Sequence, residues 1–293
     1  MEGLAVIGAV IFLMVVGYLV VSAVLHRIPA PSLRLPTGPI PDTWAGIVEH
    51  NVPLARGLSS DERERLLRLV QVFLKDKHFE GCGGITLTEE MKVTIAAEAC
   101  LLLLHLAGPC YPTLRTVLVY PHGFVPKLAR SLGTGEIARP PTRLIGESWG
   151  DGVVVISWDD AIRGARNPVD GENVVLHEFA HQLDAEDGFS DGAPILPPNA
   201  LRTWGGVLSE EYERLRRDAA QDRRSALDEY GATNKAEFFA VATETFFEKP
   251  VQLEREHPAL YAQLQQFYRQ DPARRAPPPL PLPFPPAPPP AAP

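Results

Sequence analysis

Cysteine is scarce: Cys82, Cys100 and Cys110 are the only three in 293 residues. An odd number cannot pair off within one chain, and no C-x-x-C occurs. Neither a disulfide scaffold nor a thiolate zinc site is therefore indicated, and the thiols read as small apolar residues in a reducing compartment. Basic residues are outnumbered, with 28 Lys and Arg against 36 Asp and Glu, a net charge of −8. That balance argues against a broad nucleic-acid-binding surface, which needs clustered cations to neutralise phosphates, and leaves room for a local basic patch. No internal repeat is present, which excludes solenoid and propeller architectures. Apolar residues nevertheless make up 45% of the chain and charged ones 22%, so the chain is not disordered throughout.

The apolar and proline content is unevenly distributed. Residues 3–25 form a run of 23 without a charge, which as a helix would be about 34 Å long and could cross a hydrocarbon core about 30 Å thick. Only Glu2 precedes it, so it lacks the basic start of a signal peptide and reads as an uncleaved anchor. Arg27 and Arg34 follow, and the positive-inside rule then predicts a single-pass protein of the inner (cytoplasmic) membrane, with the remainder facing the cytoplasm. The expected organisation is an anchor over 1–27, a proline-punctuated linker and lead-in over 28–53, a folded domain over 54–272, and a Pro-rich disordered tail over 273–293. The tail reads as a spacer in preference to a ligand for a proline-binding module.

Within the central region, capping residues predict helices over 60–79 and 88–106. Runs of β-branched residues predict strands over 116–120, 142–148 and 153–157. Helical patterning follows over 173–185, 200–220, 235–248 and 258–269. Helices outweigh strands, so the expected fold is α+β, mainly helical with a small sheet.

The most specific chemistry lies in Val174-Val175-Leu176-His177-Glu178-Phe179-Ala180-His181. On a helix, positions i and i+4 share a face, so both imidazoles reach one metal ion. Glu178 follows the first histidine and can meet a metal-bound water without ligating the metal. Zinc lowers the pKa of such a water towards 7, and a carboxylate there takes its proton and passes it to a leaving amine. Two histidines leave zinc one protein ligand short. Asp184 shares the face of His181 but suits the orientation of a ring better than the metal. The better source is the apolar helix over 235–248, whose acids Glu237 and Glu244 are seven apart on one face and need a buried partner. Tyr230, seven residues before Glu237, sits in a turn where a phenol could donate to an oxyanion. Trp149, Trp158 and Asn234 are further pocket candidates, each read as structural first.

The blocks GENVVLHEFAHQLDAEDG (171–188) and LDEYGATNKAEFFAVATETFFEKP (227–250) closely resemble the Mlc titration factor A family of zinc-dependent peptidases. LTEEMKVTIAAEACLLLLHL (87–106), LVYPHGFV (118–125), GESW (146–149), VVVISWDD (153–160) and HPALYAQLQQFYRQDP (257–272) extend the resemblance over about three quarters of the chain. It implies a zincin-like catalytic domain, similar to that of anthrax lethal factor. It also implies one Zn2+ held by His177, His181 and Glu237, with Glu178 as general base and Tyr230 in a catalytic role. The activity implied is aminopeptidase-like, on peptide or protein substrates, without direct nucleic-acid binding. A glucose-responsive transcriptional repressor is the partner the resemblance implies, although no residue of this sequence is assigned to that contact. Two features depart from the family pattern, the N-terminal anchor and the proline tail. Rival readings are a regulatory protein that sequesters a repressor with catalysis incidental, and a membrane adaptor working through its tail.

Overall fold

Side-chain caps fix where most helices start. Ser59 accepts from Glu62 N while the Glu62 carboxylate accepts from Ser59 N, a reciprocal capping box. Thr88, Ser157, Asn173 and Asn234 each accept from a backbone N–H two or three residues on. The computed structural model describes residues 35–123 and 152–275. The expected anchor, the linker up to residue 34, the strand expected over 142–148, Trp149 and the tail beyond residue 275 lie outside the described residues. Among the described residues no helix is long and apolar enough to cross a membrane.

The order is α1 (Asp42–Asn51), α2 (Ser60–Asp76), β1 (His78–Gly81), α3 (Glu89–Leu102), β2 (Thr116–Tyr120), β3 (Val153–Ser157), α4 (Trp158–Arg166), α5 (Val174–Asp184), α6 (Pro198–Ala220), α7 (Lys235–Glu248), α8 (Pro250–Glu256) and α9 (Pro258–Tyr268). Short 3₁₀ turns intervene, including Glu229–Ala232. The strands form a parallel sheet in the order β1-β2-β3, with His78 opposite Thr116 and Thr116 opposite Val153. The domain is thus α+β, mainly helical with a small sheet.

The larger departures from the sequence reading lie in the first half of the domain. The helix expected over 60–79 stops at Asp76, because Lys77 turns extended and His78 N donates to Arg115 O at 2.9 Å, drawing the chain into β1. The helix expected to reach residue 106 ends at Leu102, where Leu103 N and Leu104 N tighten onto the carbonyls three residues back. Helix α1 lies upstream of residue 54 and packs on α3, with Asn51 Nδ2 donating to Glu90 and Thr94.

Two helices carry the interior. From Val93 to Leu102, α3 is buried at every position, and so is α7 from Glu237 to Glu248. A helix that is apolar all round belongs in the core. Helix α5 packs against both. The acids on those buried helices, Glu98, Glu237, Glu244 and Glu248, consequently have to find partners inside the protein.

Candidate metal centre

Asn173 sets the start of α5. Its Oδ1 accepts from Val175 N at 3.1 Å and from Leu176 N at 3.0 Å, and its backbone carbonyl accepts from His177 N at 2.9 Å. One turn further on, His177 and His181 stand on the same face, with ring centroids 4.8 Å apart and Nε2 atoms separated by 3.2 Å. Asn234 starts α7 in the same way, accepting from Glu237 N at 3.0 Å, which places Glu237 in the first turn. Its Oε2 lies 3.0 Å from His177 Nε2 and 3.5 Å from His181 Nε2. One ligand atom from each of His177, His181 and Glu237 falls within 4.8 Å of the others. The second acid of the helix, Glu244, takes the opposite side of the first imidazole, with Oε1 2.7 Å from His177 Nδ1. The spacing of seven therefore puts the two acids of α7 on the two nitrogens of one ring.

The cluster is buried except at His181. His177 and Glu178 are almost fully enclosed, whereas the His181 side chain is 20% exposed. Burial acts to lower the His177 pKa, but the carboxylates of Glu244 and Glu237 outweigh it and raise it to about 10. Burial acts to raise Glu237, and hydrogen bonds from His177 and His181 outweigh it, leaving it at about 2. Burial pushes Glu178 up, with His177 and His181 opposing.

The donor chemistry fits a zinc ion. A neutral His177 that donates from Nδ1 to Glu244 would turn its Nε2 lone pair towards the Glu237 carboxylate and the second imidazole. Such a set repels itself unless a cation or a proton lies among its members. Two imidazoles and one carboxylate are the ligands borderline metals such as zinc take.

The remaining residues sort themselves around this cluster. Tyr230 lies in the 3₁₀ turn Glu229–Ala232, its N–H donating to Asp228 Oδ1 at 2.8 Å. Its ring is 6.0 Å from that of His177, tilted by 45°. Asp184 does not orient a histidine as expected. Its Oδ2 accepts from Gly192 N at 3.0 Å, tying down the loop after α5, and the carboxylate found against a ring nitrogen is that of Glu244, on His177. Trp158 opens α4.

Sequence reasoning missed the support behind α5. Asn173 Nδ2 donates to Glu98 Oε1 at 2.7 Å and to Glu248 Oε1 at 3.1 Å, and Gly171 N donates to Glu248 Oε2 at 2.9 Å. The signal was available, since Glu98 is an acid inside an apolar helix just as Glu237 is. Burial raises Glu98 to about 8, against the lowering effect of the Asn173 hydrogen bond. An unfolded chain releases that proton near 4.5, while the folded one holds it until about 8, so this group subtracts stability as pH rises through the window. Glu98→Gln is therefore expected to match the wild type at pH 4 and to melt at a higher temperature than the wild type at pH 8; paired melting curves at the two pH values check this.

The family model described as glucose-regulated metallo-peptidase M90 matches residues 30–269. The chain belongs to that family. An uncharacterized protein of Synechocystis sp. is 39% identical over 236 residues, covering 80% of this chain and 86% of that protein. Mlc titration factor A of Serratia proteamaculans is 32% identical over 227 residues, covering 76% and 86% respectively. Its counterpart in Yersinia pestis is 32% identical over 228 residues, covering 77% and 84%. The resemblance carried by residues 171–188 and 227–250 thus agrees with the match along most of the chain. An M90 protein is a metallopeptidase, a hydrolase that requires a bound metal. In this member the side chains of His177, His181 and Glu237 form a cluster that could hold such a metal.

Proposed function

We propose that this chain is a zinc-dependent peptidase with a zincin-like domain, in which His177, His181 and Glu237 hold one Zn2+ and Glu178 is the general base. The observation that carries this reading is the convergence of two imidazole Nε2 atoms and one carboxylate oxygen within 4.8 Å, beside a buried glutamate. Zinc supplies Lewis acidity there, polarising a carbonyl and acidifying water. The protein's own groups do the rest. Burial raises the proton affinity of Glu178, which suits a carboxylate that accepts a proton from water and returns it to the leaving amine. The partial exposure of His181 gives a peptide its approach. Tyr230, beside His177, donates its phenol proton in a hydrogen bond to the oxyanion. Aminopeptidase-like specificity rests on the family resemblance.

The test is to incubate the purified full chain with a peptide library and identify new termini by mass spectrometry, with and without a zinc chelator. Chelator-sensitive cleavage releasing N-terminal residues supports the proposal, and no cleavage by zinc-loaded protein contradicts it. A narrower prediction concerns Tyr230→Phe, which keeps the ring and removes only the hydroxyl. Zinc content and melting temperature are expected to stay near wild type while kcat falls about 10²–10³-fold with little change in KM. Unchanged turnover with a lowered melting temperature would make Tyr230 a packing residue.

The relatives named Mlc titration factor A support a second reading, in which the protein also binds a transcriptional repressor. Binding that survives loss of catalysis, for example in Glu178→Gln, distinguishes that role from peptidase action. For location we propose a single-pass anchor over residues 1–27 in the inner membrane with the peptidase domain facing the cytoplasm. The uncharged run and the arginines at 27 and 34 support this.

A further inference from the structure

Helix α7 addresses both nitrogens of His177. Glu237 Oε2 is 3.0 Å from Nε2, and Glu244 Oε1 is 2.7 Å from Nδ1. The other oxygen of Glu244, Oε2, accepts from the backbone N–H of Asn173 at 2.6 Å. That donor cannot turn away. Asn173 is the cap of α5, with its Oδ1 committed to Val175 N and Leu176 N, its carbonyl to His177 N, and its Nδ2 to Glu98 and Glu248. Glu244 is itself fully buried. With Oε2 already accepting from a backbone N–H, the carboxylate offers its second oxygen to the ring as an acceptor, and the nitrogen facing Oε1 is the one placed to donate.

We propose that Glu244 is a positioning residue which, held by the Asn173 N–H, fixes His177 as the Nδ1–H tautomer and so aims the Nε2 lone pair at the metal. This role rests on the reading of His177 as a metal ligand. A partner of this kind sets ring orientation and ligand basicity, and its loss typically weakens metal binding about 10–100-fold. The arrangement also predicts what an amide does. In Glu244→Gln the side-chain oxygen goes to the Asn173 N–H, and the NH2 group then faces Nδ1. Nδ1 has to accept, the ring proton moves to Nε2, and the ligand lone pair is lost. Turned the other way, the NH2 group meets the Asn173 N–H donor to donor. Glu244→Asp keeps two acceptor oxygens and avoids both conflicts.

The experiment measures zinc affinity of the full chain by competition with a chromophoric chelator, for wild type, Glu244→Gln, Glu244→Asp and His177→Ala. It is joined by two-bond 1H–15N NMR of zinc-loaded wild type labelled at histidine. The expected results are a loss of about 10–100-fold in Glu244→Gln, a smaller loss in Glu244→Asp, and a protonated Nδ1 with metal-bound Nε2 in the wild type. Wild-type affinity in Glu244→Gln, equal losses in the Gln and Asp variants, or metal bound at Nδ1 would overturn the proposal. Should Glu244→Gln fail to fold, the wild-type NMR assignment decides alone. Loss of zinc in His177→Ala with retention in Glu244→Gln would overturn this role and leave the ligand reading intact. Retention of zinc in His177→Ala would overturn both.

Discussion

Alanine at His177, His181 or Glu237 is expected to abolish stoichiometric zinc in each case. Three protein ligands are the minimum that a catalytic zinc site uses, and each substitution leaves two. The accompanying change in stability differs between the three. Removing His177 leaves Glu237 and Glu244 buried without the ring that lies between them. Stranding buried charge in this way costs about 3–5 kcal/mol. Removing His181 opens the exposed side of the cluster and disturbs less, because that ring is already partly solvated. Zinc per chain after equilibration with a modest excess of the metal, and melting curves on the same samples, give both quantities. Stoichiometric zinc in Glu237→Ala would assign the third ligand elsewhere.

Glu178→Gln is expected to retain zinc and to lose about 10²–10⁴-fold in kcat, the range that general acid–base catalysis supplies. Glutamine keeps the volume and the hydrogen-bonding reach of the side chain but cannot carry a proton between water and a leaving amine. Because Glu178 is buried and its ionised form is disfavoured there, removing the charge should leave the melting temperature unchanged or slightly higher. KM should move little, since the group acts in the transition state. Turnover within tenfold of wild type at full zinc occupancy would remove Glu178 from the mechanism. It would also shift weight to the repressor-binding reading.

Much of the centre could be read before folding was considered, for identifiable reasons. Strands β2 and β3 and helix α7 match their expected bounds, because β-branched runs and an uninterrupted apolar helix are signals contained within each segment. The H-E-x-x-H spacing needs only helical periodicity to bring the two rings together. Glu237 and Glu244 stood out as acids in an apolar helix, but sequence cannot tell which ring nitrogen each will meet. That depends on how α7 lies against α5, a tertiary property. Strand β1 escaped notice because His78-Phe79-Glu80-Gly81 is short and almost wholly exposed or half-buried, so no alternation marks it. The hub at Asn173 was invisible for a different reason. As a sequence letter it is an ordinary helix cap, and its contacts to Glu98, Glu244 and Glu248 cross 71 to 75 residues of chain. Asp184 was misjudged because shared helical face predicts proximity to His181 and not the competing backbone donor of Gly192.

The zinc K-edge X-ray absorption spectrum of the purified, zinc-loaded full chain tests the centre most directly. Two imidazole nitrogens at about 2.0–2.1 Å with the remaining scatterers oxygen, and no sulfur shell, is the predicted result. A sulfur shell near 2.3 Å, a single imidazole, or metal bound at well below one ion per chain would contradict it.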